Sequence, residues 1–497
     1  MSDVLKIIKD NTQTYEQKLV SLARAAENTL DVLGVSGDIQ KYREEGIICD
    51  LNEGNAPYRP RYIVPDYERF MEQGSEFLRL QPANDIWEAA NNLLVLYRHV
   101  PSITTMPVYV GNLDTLLEPY IKDEEEAFKA IRLFLIHLDR TITDSFCHAN
   151  IGPMPTKAGR LLLRAERELQ NSVPNITLKY SRETPEEFAL EAVRTALVSA
   201  KPSFANHEMF VEDLGSSYSI ASCYNGLPIG GGSYTLVRLI LARLADKAAG
   251  EKEFMDAVLP DAVSKMCEFM DRRIRFIVEE SGFFESSFLA KEGLIHRDRF
   301  TAMFGMVGLA ECVNKLLGAK EQKERFGYGE AANALGLRII ERMHGLLSEH
   351  NNQYCEVTGG NFLLHAQVGI DTDYGISPGC RIPIGEEPEI HRHLLQSAPF
   401  HKYFPSGIGD VFSFDETVKN NPAYLLDIIK GGFTAGLRYI SFYASDSDLI
   451  RITGYLVKKS DMERLSKGEQ ALHDTVALGL GAVRNSRILE RKVRGNE

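Results

Sequence analysis

The sequence predicts a mainly parallel α/β fold, and three observations predict it. From about residue 170 onward, short apolar runs alternate with amphipathic helices. The 497 residues are 44% hydrophobic and 25% charged, which leaves ample apolar surface for a large core. No internal repeat, low-complexity tract or long linker interrupts the pattern. Alternation of this kind suits a barrel or a doubly wound sheet, and periodicity does not choose between them. Length alone suggests about three domains, a soft count because α/β barrels run long.

The elements follow in order. The stretch Met1–Leu19 reads as a charged helix without the apolar core of a signal peptide. Residues 1–150 read as mostly helical, with clear periodicity at Ile86–Tyr97 and Glu124–Leu138. Ile176–Tyr180 reads as a strand. A helix follows, with Thr184 as cap, Pro185 at its first position and Glu187 closing a capping box. Further helices are expected at Thr235–Ala248, Phe254–Glu279, Ala302–Leu317 and Gly329–Ser348, and strands near Phe362–Val368 and Arg438–Tyr443. His391 and His393 suggest one strand face. Near the end, Ser460 and Glu463 form a second capping box, and Gly468 can stop that helix.

Composition excludes several classes. A net charge of −13 repels phosphate backbones, so nucleic acid is not an expected partner. No window approaches the roughly 18 apolar residues of a membrane span, and the chain is expected to be cytoplasmic. The seven cysteines are scattered, odd in number and free of any CxxC, so neither a disulfide framework nor a zinc site is expected. Cys267 and Cys312 fall in helical patterns as small buried hydrophobes. The basic tail of Arg484, Arg487, Arg491, Lys492 and Arg494 reads as a solvated helix face, with partner docking as the lesser reading.

Two segments stand apart. In Leu449–Val457, apolar residues flank the single Gly454. Taken alone, this is a strand glycine marking a bulge or a close backbone approach. In Ser219–Gly232, small residues surround Cys223, and Asn225-Gly226 and the triplet Gly230–Gly232 make an irregular loop. The triplet's spacing matches no phosphate-binding loop. Its expected role is steric: glycines let another backbone come close, here by helping the cysteine loop and the loop of Gly454 approach each other.

Together these segments resemble the glycyl radical enzymes. Arg451-Ile452-Thr453-Gly454-Tyr455 resembles that family's radical-site motif, close to the carboxyl terminus. Gly431–Tyr439, Pro174–Leu178, Thr184–Phe188 and Met303–Glu311 resemble further family segments, in the same order, from about 170 to 470. The resemblance implies a ten-stranded barrel of two parallel half-barrels surrounded by helices. A helical region over 1–150 would pack on a barrel core over 151–430, and 431–497 would form the glycyl radical domain. It implies a radical stored on Gly454, whose Cα can flatten because it has no Cβ. It also implies a thiyl on Cys223, which takes hydrogen from a small-molecule substrate. No bound cofactor is expected. A separate radical-SAM activase would install the radical, operation would be anaerobic, and a homodimer is expected.

The branch is read from the cysteine loop. Ser222 precedes Cys223, so the paired cysteines of pyruvate formate-lyase are missing. Asn225 stands where the dehydratase branch has the Glu of Cys-x-Glu, and an amide cannot take a proton. No cysteine follows Cys380, so the carboxyl-terminal zinc site of anaerobic ribonucleotide reductases is missing too. Length and loop best resemble the short YjjI-type branch. Lyase, transferase and reductase chemistry stay open. Asn225 and Tyr224 are the substrate-binding candidates. Glu356 is the candidate acid or base, against the commoner reading of a surface carboxylate. Tyr455 is either a redox group or, more often, packing. A catalytically silent relative that binds a metabolite or a partner enzyme is the alternative, and retention of both Cys223 and Gly454 argues against it.

Overall fold

The computed structural model describes residues 3–51, 53–54, 57–102, 106–367, 370 and 372–495. Its strands are β1 (Ile48–Cys49), β2 (Tyr62–Val64), β3 (His148–Ile151), β4 (Asn175–Tyr180), β5 (Ser203–Asn206), β6 (Tyr218–Ala221), β7 (Asn225–Pro228) and β8 (Gly231–Ile240). There follow β9 (Phe300–Val307), β10 (Leu363–Ala366), β11 (Asp410–Phe414), β12 (Tyr439–Ala444), β13 (Leu449–Arg451), β14 (Leu456–Lys458) and β15 (Val493–Arg494).

One sheet runs β15-β11-β12-β5-β4-β3. Within it β3, β4 and β5 are parallel, β12 lies antiparallel to β5, and β11 and β15 follow β12. The other sheet runs β1-β8-β9-β10, with β8, β9 and β10 parallel. On the edge of β8, β1 and β2 pair antiparallel. All ten residues of β8 and all eight of β9 are buried, as expected of strands covered on both faces. Helices such as Lys157–Leu169, Glu186–Ser199 and Leu259–Arg275 turn one apolar face to these sheets and leave charges outside. This is the mixed α/β architecture expected; hydrogen bonding among the described residues records two sheets rather than one closed ring.

Two hairpins lie outside both sheets: β6–β7 holds the cysteine and β13–β14 the glycine. The glycine hairpin has its own core. Ile450, Ile452, Tyr455 and Val457 pack with Val476 and Ile488 from the chain that follows. Full burial of each aliphatic there is worth about 1.5–3 kcal/mol.

Several sequence expectations fail for physical reasons. Thr235–Ala248 is not a helix: Thr235–Ile240 belongs to β8, and only short turns follow. Ala302–Val307 likewise lies in β9, and its helix begins at Leu309. Both runs are buried on every side, Thr235 and Arg238 included, and such runs offer no exposed face by which periodicity could tell helix from strand. Thr184 does not cap. Its hydroxyl donates to the Pro153 carbonyl, and Pro185 holds the cap position. Ser460 bonds Asp448 instead of capping its helix. His391 and His393 sit on the helix Ile390–His401, not on a strand. The first 150 residues carry three strands among their helices. Val368 lies outside the described residues.

The glycine triplet does something other than expected. A methyl group on Gly231 would overlap the carbonyl oxygen of Arg299, and one on Gly232 that of Tyr62. The triplet therefore seats β8 against β2 and the chain entering β9, not the cysteine loop against the glycine loop. Gly232 also has φ +149°. Gly232→Ala should lower stability by about 1–3 kcal/mol, read from the urea midpoint. Gly250→Ala, where nothing lies within 4 Å, should leave it nearly unchanged.

Candidate active site

The cysteine loop joins β6 to β7, and the first sheet fixes it. Ser222, just before Cys223, is a non-glycine residue with φ +56°. Such a conformation persists only where the surroundings enforce it. Here they do. Ser222 N donates to Val108 O at 2.9 Å. His148 Nδ1 lies 2.6 Å from Ser222 O, and its Nε2 lies 2.7 Å from Thr177 Oγ1. Asn150 pairs with Ile220 both ways, at 2.8 and 2.9 Å. Tyr439 Oη donates to Cys223 O at 3.3 Å. Burial holds His148 neutral, its pKa lowered to about 3, so Nδ1 donates to the carbonyl and Nε2 accepts from the hydroxyl.

The glycine loop is the turn of the β13–β14 hairpin, where Ile452 N donates to Tyr455 O at 3.1 Å. Asn175, the first residue of β4, donates from Nδ2 to Gly454 O at 2.9 Å. Its Oδ1 accepts from Arg451 Nη2 at 2.9 Å, and Arg451 Nε donates to Ala200 O at 2.7 Å. The arginine of the motif therefore orients the amide that holds the glycine.

The two loops meet. A methyl group placed on Gly454 would lie 2.8 Å from Cys223 Cα, 2.9 Å from its Sγ, and closer still to its Cβ. Only glycine fits at 454, whatever chemistry follows. Gly454 is buried and Cys223 is 3% exposed. Burial, the largest influence, pushes the Cys223 thiol up to about 12, so it carries its hydrogen at neutral pH.

A cavity of about 200 Å³ opens on Cys223. Val108, Phe146 and Ile370 give it apolar wall. Its polar lining comes from Arg24, Arg61, Tyr62, Asp144, Gln367 and Asp474, together with Asn225. Arg61 is already paired with Glu53 at 2.8 Å. The carboxamide oxygens of Asn225 and Gln367 have no partner among the described residues. Burial, and next the charge of Asp144, raises the Asp474 carboxyl above the usual range.

Of the residues singled out from sequence, Cys223, Gly454 and Asn225 come together here. Tyr224 is buried beside them but does not line the cavity. Its hydroxyl donates to Ala366 O at 2.7 Å, and its ring packs on Tyr439. Glu356 is exposed in a short turn before Gly359, away from the cavity. Tyr455 packs on Phe146, with ring centroids 4.7 Å apart. Sequence reasoning missed Asp144, Asp474, His148, Asn175 and Arg491. It read Arg491 and Arg494 as solvated, yet they are 6% and 3% exposed. All seven cysteines are free.

The fold and this pair of loops define a class. The chain superposes on the anaerobic ribonucleotide reductase from Thermotoga maritima with a TM-score of 0.74 and 13% identity, over 92% of this chain and 93% of that one. It also superposes on the B12-independent glycerol dehydratase from Clostridium butyricum with a TM-score of 0.69 and 11% identity, over 99% and 88%. At such identities the likeness is one of fold. Residues 13–494 match the family described as "Glycyl radical enzyme YjjI-like", and the chain belongs to that family. Two relatives share nearly its full length. An uncharacterized protein from Haemophilus influenzae is 48% identical over 99% of this chain and 98% of its own. The uncharacterized protein YjjI from Escherichia coli is 42% identical over 98% and 95%. No helix among the described residues is long and apolar enough to cross a membrane.

Two measurements check this site. Alkylation of Cys223 by iodoacetamide at pH 8 should be at least about 100-fold slower in the folded protein than in urea, because thiolate is the reactive form. His148 gives a pH test. An unfolded imidazole binds a proton below about pH 6.5, whereas folded His148 does not until about 3. Its contribution is therefore whole above 6.5 and shrinks as pH falls through that window. Lowering the pH from 7.5 to 5.0 should cost about 2 kcal/mol for this one group. His148→Gln should make the acid loss shallower by that amount in urea titrations.

Proposed function

We propose that this protein stores an organic radical on Gly454 and uses Cys223 to take hydrogen from a small-molecule substrate in the adjoining cavity. The single observation that supports this most is the contact between the two residues, too close for any side chain at 454. A radical-SAM activase first removes one Cα hydrogen from Gly454. The Cys223 S–H bond then breaks and a C–H bond re-forms at Gly454, which leaves a thiyl. The thiyl takes a hydrogen atom from a substrate carbon, and the reverse transfers regenerate the glycyl radical after turnover. Reacting atoms need to approach to about 3–3.5 Å in the competent state, and two clamped, buried loops suit that demand.

The chain's own residues supply the rest. With Asn225 where a carboxylate would stand, proton transfer falls to Asp144 and Asp474, the acids that line the cavity. Glu356 lies too exposed for that role in this reading. Asn225 and Gln367 offer amides to substrate hydroxyl, carbonyl or amino groups. The substrate is small and polar, and the reaction class follows from what Asp144 and Asp474 do with its proton. The working protein is anaerobic, cytoplasmic and a homodimer in this reading. The region before 150 packs on the barrel core of 151–430, and the segment after 431 carries the radical.

Anaerobic reaction with the activase should give a doublet electron paramagnetic resonance signal, split by the one remaining Cα hydrogen. The Gly454→Ala protein should give none, and a doublet persisting in that variant would overturn the assignment. Exposure of the activated protein to air should cut the chain at residue 454, which mass spectrometry detects as a short carboxyl-terminal piece.

A further inference from the structure

The carboxyl-terminal segment crosses the glycine hairpin as a strap. The chain turns at Ile488–Glu490, and Ile488 is buried in the hairpin's core. β15 then pairs with β11 at the edge of the first sheet. Beyond the hairpin, Arg494 Nη1 donates to Pro388 O at 2.5 Å, and Asp415 N donates to Arg494 O at 2.7 Å. Between these two anchors, Arg491 points inward. Its Nη1 donates to Arg451 O and to Tyr443 Oη, both at 3.1 Å, and its Nη2 donates to Ile452 O at 3.0 Å.

A charged side chain is seldom left 6% exposed on neutral acceptors alone. Two of these acceptors, Arg451 O and Ile452 O, are the carbonyls that lead into the turn of Gly454. The guanidinium fork suits two adjacent carbonyls because its donors are planar and fixed. Asn175 holds the far side of the same turn at Gly454 O. The glycine is thus pinned from the sheet by one residue and from the tail by another.

We infer that Arg491 is a positioning residue whose guanidinium pins the Gly454 turn against Cys223, and that lifting the strap is what frees the turn. This rests on the reading of Gly454 as the radical site. On that reading the pinned turn has two consequences. Gly454 is buried beneath the hairpin's neighbours, so a separate enzyme cannot reach its Cα until the turn moves. Once the radical is made, the closed strap returns the glycine to the thiol and keeps water and oxygen away.

Hydrogen–deuterium exchange on the full-length, unactivated protein tests the pin without any radical. In Arg491→Ala, peptides covering 450–458 should exchange at least tenfold faster than in wild type, which corresponds to about 1.4 kcal/mol of easier opening. Peptides from β3 to β5 should not change. Arg491→Lys should fall between, since one ammonium cannot span both carbonyls in a fork. Exchange of 450–458 within twofold of wild type in Arg491→Ala would overturn the inference. So would a rise shared equally by β3–β5, because that marks general stability and not positioning. After activation, the doublet should also decay faster in Arg491→Ala than in wild type. If wild type gives no doublet at all, the radical assignment fails while the exchange result still decides the strap.

Discussion

The structure is organised around one steric fact: the Cα of Gly454 lies against Cys223 with no space for a methyl group between them. Two hairpins, one near the middle of the chain and one near its carboxyl terminus, must be brought together and kept there. Neither hairpin could hold its turn alone, since an isolated two-stranded hairpin is marginal in water. Each is fixed instead by side chains of the first sheet. His148 and Asn150 on β3 hold the cysteine turn, and Asn175 on β4 holds the glycine turn. Thr177 on β4 and Tyr439 on β12 carry the hydrogen-bonded path from His148 back to Cys223 O, so that it begins and ends on the cysteine turn. Parallel strands set four residues of this clamp in register, for His148 lies beside Asn175 and Asn150 beside Thr177 in the β3–β4 ladder.

Burial does chemical work at this contact. It keeps the Cys223 thiol protonated and the His148 ring neutral, which suits hydrogen-atom transfer and not thiolate attack. The cavity that opens on Cys223 differs in character. It gathers two arginines, two aspartates and two carboxamides, whereas the contact at Gly454 is closely packed.

Much of this was legible in the sequence, and the failures have physical causes. The ordered resemblance from 170 to 470 singled out Cys223 and Gly454, the two residues that meet, because each stands in a short local motif. Asn175 stood within a quoted segment, yet its partner lies at 454, and no local pattern encodes that pairing. Asp144 and Asp474 were missed for the same reason, being neighbours only through folding. Glu356 was chosen for its place beside a cysteine and two glycines, features that turned out to describe an exposed turn. The basic tail reads like a solvated face because three of its five cations do face outward or carry surface pairs. Arg491 and Arg494 are the exceptions, buried by the strap. Thr235–Ile240 of β8 and Ala302–Val307 of β9 read as helix because burial on both faces erases the period that distinguishes the two.

The central claim is that hydrogen passes between Cys223 and Gly454, and isotope exchange at the radical tests it most directly. The thiol hydrogen exchanges with solvent, whereas a Cα hydrogen does not exchange unaided. When the activated protein is moved anaerobically into deuterium oxide, the account predicts that the glycyl doublet collapses toward a single line. Deuterium delivered by the thiol then replaces the coupled Cα hydrogen. In Cys223→Ser the doublet should form and stay a doublet. Collapse at the wild-type rate in Cys223→Ser would contradict the relay, and so would a wild-type doublet that survives in deuterium oxide unchanged.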